Sequence, residues 1–450
     1  MELNPAKILE NFNISPLWFI LPTFTGLLWF SYSLLGPVGQ SIVSSMFRVI
    51  VLLSPIFFPF ILGLVLWHVW LEYIRTKYIN NQEYVLLEIR LPREVVRSPL
   101  AMETLLTNFH ISMGETTFIN RYIQGAVRTW FSLEMVSLGG EIHFYIWTRS
   151  FFRDVVEAQI YGQYPMVEIY EVDDYAKKLR YDPNVYGVWG CDFTLTDKDA
   201  YPIKTYIDYG LDKDPKEEFK IDPMAGFFEF LGQIGPDEQI WFQILIRVNK
   251  DKLGEDRKYK EGTLFTKTTS WQEEAKEEIK KIRDEATQKY TDAEGKERQG
   301  FPNPTPGDTD KIKALERSIS KLGFDTGIRG IYIAKADKFN ASNIPGLTAS
   351  LKQLNSANLN GIRPIRWMVG FDYPWQDLFG FGGKKERYKR EIIDAFRRRS
   401  WFHVPYKTPS FVLNTEEIAT IFHFPGSVVQ TPTLPRIQST KGEAPSNLPV

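Results

Sequence analysis

Residues 382–402 read GGKKERYKREIIDAFRRRSWF, and their chemistry is that of a charged surface. Lys384, Lys385, Arg387, Lys389, Arg390, Arg397, Arg398 and Arg399 surround an apolar stripe of Tyr388, Ile392 and Phe396 at helical spacing. A basic amphipathic helix of this kind meets anionic lipid, nucleic acid or an acidic protein surface. The same pattern equally suits a helix docked on its own chain with a solvated basic face. A second stretch, FVLNTEEIATIFHFPG at 411–426, is punctuated for docking. Thr415 serves as N-cap, Glu416 and Glu417 occupy the first turn, and Ile418, Ile421 and Phe422 form one apolar stripe before a proline stop. Its docking surface must lie earlier in the chain or on another protein. The remainder, 426–450, is proline-rich and reads as an extended tail.

Residues fit for catalysis are sparse. A phosphate-binding loop needs Gly-x-x-x-x-Gly-Lys-Ser/Thr, because backbone amides cradle the phosphates and the hydroxyl holds Mg²⁺. Gly383 and Lys384 come closest, but Leu378 stands where the first glycine belongs and Lys385 where the hydroxyl belongs. The sequence contains neither a Gly-x-Ser-x-Gly elbow nor a His-Glu-x-x-His helix. Histidines at 68, 110, 143, 403 and 423 have no ligand spacing, and the single cysteine, Cys191, excludes an internal disulfide. Asp173 and Asp174 read as a solvated pair following a strand. The expectation is a protein without catalytic residues, cofactor or metal.

Aromatic stacking is a further chemistry to weigh. Tyr145 and Trp147 share a strand face with His143, the placement by which some sheets stack RNA bases. The accompanying Lys/Arg-Gly-Phe/Tyr-Gly/Ala-Phe-Val run is absent, so this face is expected to pack against a second domain.

The elements that position these residues begin with a membrane anchor. Leu17–Leu35 carries no charge, and in Val49–Leu71 His68 is the sole ionisable side chain. Each stretch is long enough to cross roughly 30 Å of hydrocarbon. Trp18, Trp29, Trp67, Trp70 and Tyr73 fall near the ends, as interfacial aromatics do. A two-helix hairpin within residues 1–80 is expected, with its turn from Gly36 to Phe47. Arg75, Lys77, Arg90, Arg93 and Arg97 follow the second span, so both termini are expected on the cytoplasmic side. A net charge of −1 argues against a protein that coats nucleic acid along its whole surface.

The soluble part reads as α+β. Residues 84–175 give strand, helix, hairpin, helix and strand: EYVLLEIRL, a helix capped by Ser98, a hairpin through Gly139 and Gly140, FFRDVVEAQIYGQYP and MVEIYEV. This β-α-β-β-α-β order is ferredoxin-like. It recurs over 185–370, with a strand near Pro202–Tyr209, a helix capped by Asp222, IWFQILIRV, GIRGIYIAK, IPGLTASLKQLN and RPIRWMVGF. A charged insertion at 250–323, expected as a helical hairpin, opens the second unit's central hairpin. Residues 371–425 then hold the basic helix and the docking segment.

The strings YVLLEIRLPREVVRSPLAMETLLTNFH, FSLEMVSLGGEIHFYIWTR, AYPIKTYIDYGLDKDPKEEFKIDPM and FVLNTEEIATIFHFPG resemble the non-motor region of conjugation-type ATPases of the HerA/FtsK superfamily in type IV secretion systems. They are closer still to membrane-anchored, ATPase-less relatives from candidate-phylum bacteria. The likeness covers residues 84–450. It implies a non-catalytic inner-membrane scaffold subunit of a secretion or DNA-transfer apparatus, docking a separately encoded ATPase. The alternative is a membrane-anchored protein that binds DNA or other nucleic acid through the basic helix 384–399.

Overall fold

The computed structural model describes residues 32–33, 36–92, 97–111, 113–115, 117–212, 222–249, 270–291, 297–371, 383–426 and 436–437. Most of the expected first span and most of the tail lie outside the described residues, as does the start of the insertion at 250–269.

Pro37 opens a helix of 44 residues, Pro37–Asn80, about 66 Å long at the α-helical rise. Gly36 is the N-cap, and Pro37 fits the first helical turn, where a missing N–H costs nothing. Residues 37–47, expected as the turn of a hairpin, are helical and continuous with the apolar stretch that follows. Pro55 and Pro59 lie inside the helix, a placement that a membrane helix tolerates. The helix is long and apolar enough to cross a membrane, and its most apolar window is wholly unburied. Its buried residues, Leu71 and Ile74, lie near its end, where the helix meets the rest of the chain.

Beyond the helix, the architecture is mixed, with helices on an antiparallel sheet. The strands are β1 (Tyr84–Pro92), β2 (Trp130–Leu138), β3 (Glu141–Arg149), β4 (Glu168–Glu171), β5 (Tyr186–Leu195), β6 (Glu238–Val248), β7 (Thr287–Thr291), β8 (Glu297–Pro302), β9 (Gly323–Lys335), β10 (Ile362–Ile365), β11 (Phe411–Asn414) and β12 (Arg436–Ile437). In the first half β1 lies between β3 and β4, and β3 pairs β2. In the second half β5 lies between β9 and β10, and β9 pairs β6. The two halves join edge to edge through β2 and β6, Trp130 opposite Arg247 to Leu138 opposite Gln239. One sheet therefore runs through both. β12 adds a short parallel pair to β1, while β7 and β8 form a separate hairpin.

The first strand of the second half is β5, rather than the expected Pro202–Tyr209. Its pattern was hidden by Gly187 and Gly190, whose missing side chains make room for Phe339 and Ile392; a Cβ would lie 2.5 and 2.6 Å from them. Pro202–Tyr209 instead offers its backbone to the C-terminal segment, with Ile203 N–H donating to Glu417 and Tyr206 N–H to Thr420. Asp222 accepts from Met224 N–H, but its helix begins at Ala225.

Strand alternation divides the core between the two sheet faces. Phe131, Leu133, Phe144, Ile146, Phe242, Ile244, Phe193 and Ile328 face one side and form a core that spans both halves. Helices Pro99–Asn108, Arg153–Gln163 and Ala225–Gln233 contribute to that core, as do Ile418, Ile421 and Phe422. On the opposite face lie Trp130, Tyr145, Trp147, Trp241, Leu245 and Ile331, packed with Ile392, Ile393, Phe396 and Trp401. The aromatic face is covered by Tyr175, stacked on Tyr145 at 4.9 Å, by Tyr84, stacked on Trp147 at 4.3 Å, and by Arg399, 5.7 Å from the Trp147 ring. It is not covered by the second half, which abuts the sheet edge instead. The insertion helices Trp271–Glu285 and Pro306–Ile319 share a small core of Ala275, Ile279, Ile312 and Leu315 with Ala200.

Candidate functional site

The face beneath the basic helix Lys384–Arg397 carries a row of polar residues in the sheet's own register. Glu88 pairs Tyr145, Tyr145 pairs Glu134, Glu134 pairs Gln243, Gln243 pairs Arg329, and Arg329 pairs Asp192. All are buried. A buried charge needs a partner, and the segment above supplies several. Arg399 donates to Glu134 Oε1 at 3.0 Å and Oε2 at 3.2 Å, and also to Asp174. Arg366 reaches Asp192 at 3.3 Å, while Arg329 pairs Asp192 at 2.8 Å. Gln243 donates to the Phe396 carbonyl at 3.3 Å.

Arg399 holds a left-handed backbone, φ 48°, just past the helix end, where glycine is the usual choice. Its two carboxylate partners give the physical reason to keep an arginine in that conformation. Burial disfavours its charge, but Glu134 and Asp174 outweigh burial and keep the guanidinium protonated. Tyr175 donates to Glu134 at 2.7 Å, and its pKa is raised by burial first and by the Glu134 charge second. On β1, the hydrogen bond from His143 holds Glu88 below the usual carboxylate range.

The basic residues read from the sequence therefore separate into two groups. Arg399 is a core ion-pair residue, not a surface one, and this corrects its place in a binding cluster. Arg397 donates to the carbonyls of Ala176 at 3.1 Å and Leu179 at 2.9 Å. Lys389 pairs Glu386 and sits half-buried. Lys385, Arg387, Arg390 and Arg398 are exposed, with Arg387 near Glu391 and Arg398 paired to Asp394 at 2.8 Å. Lys384 lies 5.7 Å from the Tyr388 ring centroid. Asp174, expected to be solvated, caps the turn at Tyr175–Lys178 and binds Arg399; Asp173 is exposed.

The docking segment finds its surface within the chain. Strand β11 pairs the start of β9, and helix Thr415–Ile421 packs on Pro99–Asn108 of the first half. The cap is Asn414, one residue before the expected Thr415, and it forms a reciprocal box with Glu417. Every residue of this helix is buried, Glu416 and Glu417 included. Glu416 accepts from Thr205 at 2.6 Å and pairs Arg317 at 3.0 Å. Glu417 accepts the N–H groups of Ile203 and Asn414 at 2.8 and 2.9 Å, yet burial pushes its pKa up to about 8.

At the foot of the long helix lies a groove of two adjoining cavities, about 490 and 230 Å³, which share Thr76, Phe402, His403 and Val404. Tyr84, Trp130, Trp147 and Trp401 wall the larger one, with Arg397 and Arg398 at its side. Arg75, Arg247 and Lys407 border the smaller. Carboxylates share these walls, Asp174 and Asp394 in the larger cavity and Glu72 and Glu115 in the smaller, so the lining is mixed in charge. Sequence reasoning missed it because its walls come from segments over 300 residues apart, such as Thr76 and Trp401. Among the described residues, no cluster of three or more His, Cys, Asp or Glu is arranged to hold a metal ion.

A family model for a domain of unknown function, DUF8128, matches residues 79–436. That span begins at the last turn of the long helix and ends at β12. No curated protein matches the chain.

Proposed function

The chain belongs to the DUF8128 family, and from that premise we propose that it is a non-catalytic, membrane-anchored scaffold whose sheet forms a rigid platform at the bilayer surface. The observation that carries this reading is the join between helix and sheet. Asn80 ends the helix and Tyr84 begins β1, so only residues 81–83 connect them. Tyr84 donates its hydroxyl proton to the Ile79 carbonyl at 3.3 Å, and the Arg149 guanidinium lies 5.4 Å from the Tyr78 ring. Tyr78 and Ile79 pack against the aromatic core of the sheet. A fixed join of this kind suits a platform that holds partners at a set height above the bilayer.

In this proposal the N-terminal region is a multi-pass hairpin in the inner membrane, with both termini cytoplasmic. Each half of the sheet is a ferredoxin-like unit, supported by the strand orders β4-β1-β3-β2 and β10-β5-β9-β6. The resemblance of its sequence to the non-motor region of secretion and conjugation ATPases suggests the role: docking a separately encoded HerA/FtsK-type ATPase in a type IV secretion or DNA-transfer-like apparatus. The outer face of the basic helix, with Lys385, Arg387 and Arg390, is the proposed contact. A nucleic-acid ligand is the second reading, weakened by the use of Arg397 and Arg399 inside the fold.

A photo-crosslinking residue at Arg387 or Arg390, activated in native membranes, tests the reading. An adduct with a protein bearing a Gly-Lys-Ser/Thr loop supports it. Adducts with nucleic acid alone, lost steeply as salt rises, transfer the case to the second reading.

A further inference from the structure

The short helix Phe118–Tyr122 and its flanks expose an unusual set of side chains: Met113 at 50%, Phe118 at 66%, Ile119 at 55% and Ile123 at 59%. Water-facing surfaces carry such residues singly, and their concentration in one short segment marks an interaction site. The location identifies the partner. Tyr122 stacks on Trp67 with ring centroids 5.7 Å apart, and Trp70 Nε1 donates to the Tyr122 carbonyl at 3.3 Å. Gly125 rests against the Ile74 backbone, its positive φ of 67° leaving no room for a side chain. The segment thus climbs the long helix from Ile74 to Trp67, about 10 Å at the helical rise. Trp67 lies four residues inside the end of the charge-free stretch, about 6 Å beyond Leu71. The segment's apolar side chains are therefore continuous with the helix surface that meets lipid.

We infer that the helix Phe118–Tyr122, with Met113 and Ile123 beside it, is a second membrane-contact element, seating Phe118, Ile119 and Ile123 at the boundary between headgroups and acyl chains. Interfacial helices sit at a depth of about 5–10 Å, which matches the height of Tyr122 beside Trp67. Arg121 suits this position, its guanidinium 5.4 Å from the Tyr122 ring centroid and long enough to reach the headgroup layer. With the long helix as one fixed point, this second contact sets the tilt of the sheet relative to the bilayer. The inference rests on the reading of Pro37–Asn80 as a membrane helix.

Single cysteines at L62C, F118C, I119C and F301C in the full chain test it, each carrying an environment-sensitive fluorophore, in phosphatidylcholine and phosphatidylglycerol vesicles. The native Cys191 is buried. The inference predicts that shallow spin-labelled lipids quench F118C and I119C about fivefold more than F301C, and that aqueous iodide quenches them less. Iodide quenching of F118C equal to that of F301C overturns it. Protection from both quenchers, which means that a protein covers the segment, overturns it too. Lipid quenching at L62C with none at F118C sinks this inference alone, while absence at L62C sinks the membrane reading beneath it.

Discussion

Glu134 and Arg399 lie 265 positions apart in the chain and meet in a two-pronged ion pair at 3.0 and 3.2 Å. Glu134 sits on β2, the strand that joins the two halves, and Gln243 on β6 across the seam donates to the same carboxylate at 3.1 Å. The pair thus fixes the C-terminal end of the basic helix over the junction. Buried ion pairs add little net stability over apolar packing, but they penalise any misplaced register heavily.

Removal of one partner should be costly. Arg399→Ala leaves Glu134 and Asp174 without their cation and should destabilise the chain by about 3–5 kcal/mol. The double substitution Glu134→Gln with Arg399→Met removes one of the two orphaned charges and should recover part of that loss. Denaturant titration of the detergent-solubilised chain measures both. For this reason charge reversal across Arg397–Arg399 tests folding, not binding, and binding is tested at Arg387 and Arg390.

Glu417 makes a pH prediction. Its folded pKa, about 8, stands above the ordinary 4.5 because burial disfavours the carboxylate. A raised pKa means that its contribution is fully present below about 4.5 and is lost as pH climbs through about 8. Glu417→Gln should be less stable than the parent in acid, with the gap closing in alkali. Unfolding midpoints across that range decide; a gap that stays constant removes Glu417 as the titrating group.

Gly125 and Gly210 separate strain from contact. Both have positive φ, 67° and 72°, but a Cβ on Gly125 would lie 2.5 Å from the Ile74 carbonyl, whereas nothing lies near Gly210. Gly210→Ala should cost about 1 kcal/mol of backbone strain. Gly125→Ala adds a clash of about 1–3 kcal/mol and should loosen the seat of the helix Phe118–Tyr122 on the long helix. Limited proteolysis near Arg121 reports that loosening.

Regular alternation made much of the sheet legible in advance. FSLEMVSLGGEIHFYIWTR declares a hairpin because Phe131, Leu133 and Met135, and then Ile142, Phe144 and Ile146, recur at alternate positions, and two glycines supply positive φ at the turn. β5 was illegible because Gly187 and Gly190 interrupt the same alternation, their roles set by Phe339 and Ile392 far along the chain. The basic helix was readable as amphipathic, but sequence could not divide its cations. Spacing does not reveal that Arg399 turns inward, since that depends on Glu134 and Asp174 being brought beneath it. The docking helix was readable for the same reason, and its target was not, because Ile203 and Tyr206 bind it through backbone N–H groups that carry no sequence signal.

The attachment of the sheet to a bilayer through Pro37–Asn80 underlies every role proposed for the protein. Alkaline carbonate extraction of membranes containing the full chain measures it. The chain should remain in the pellet and be released only by detergent. Its recovery in the carbonate supernatant would contradict the account.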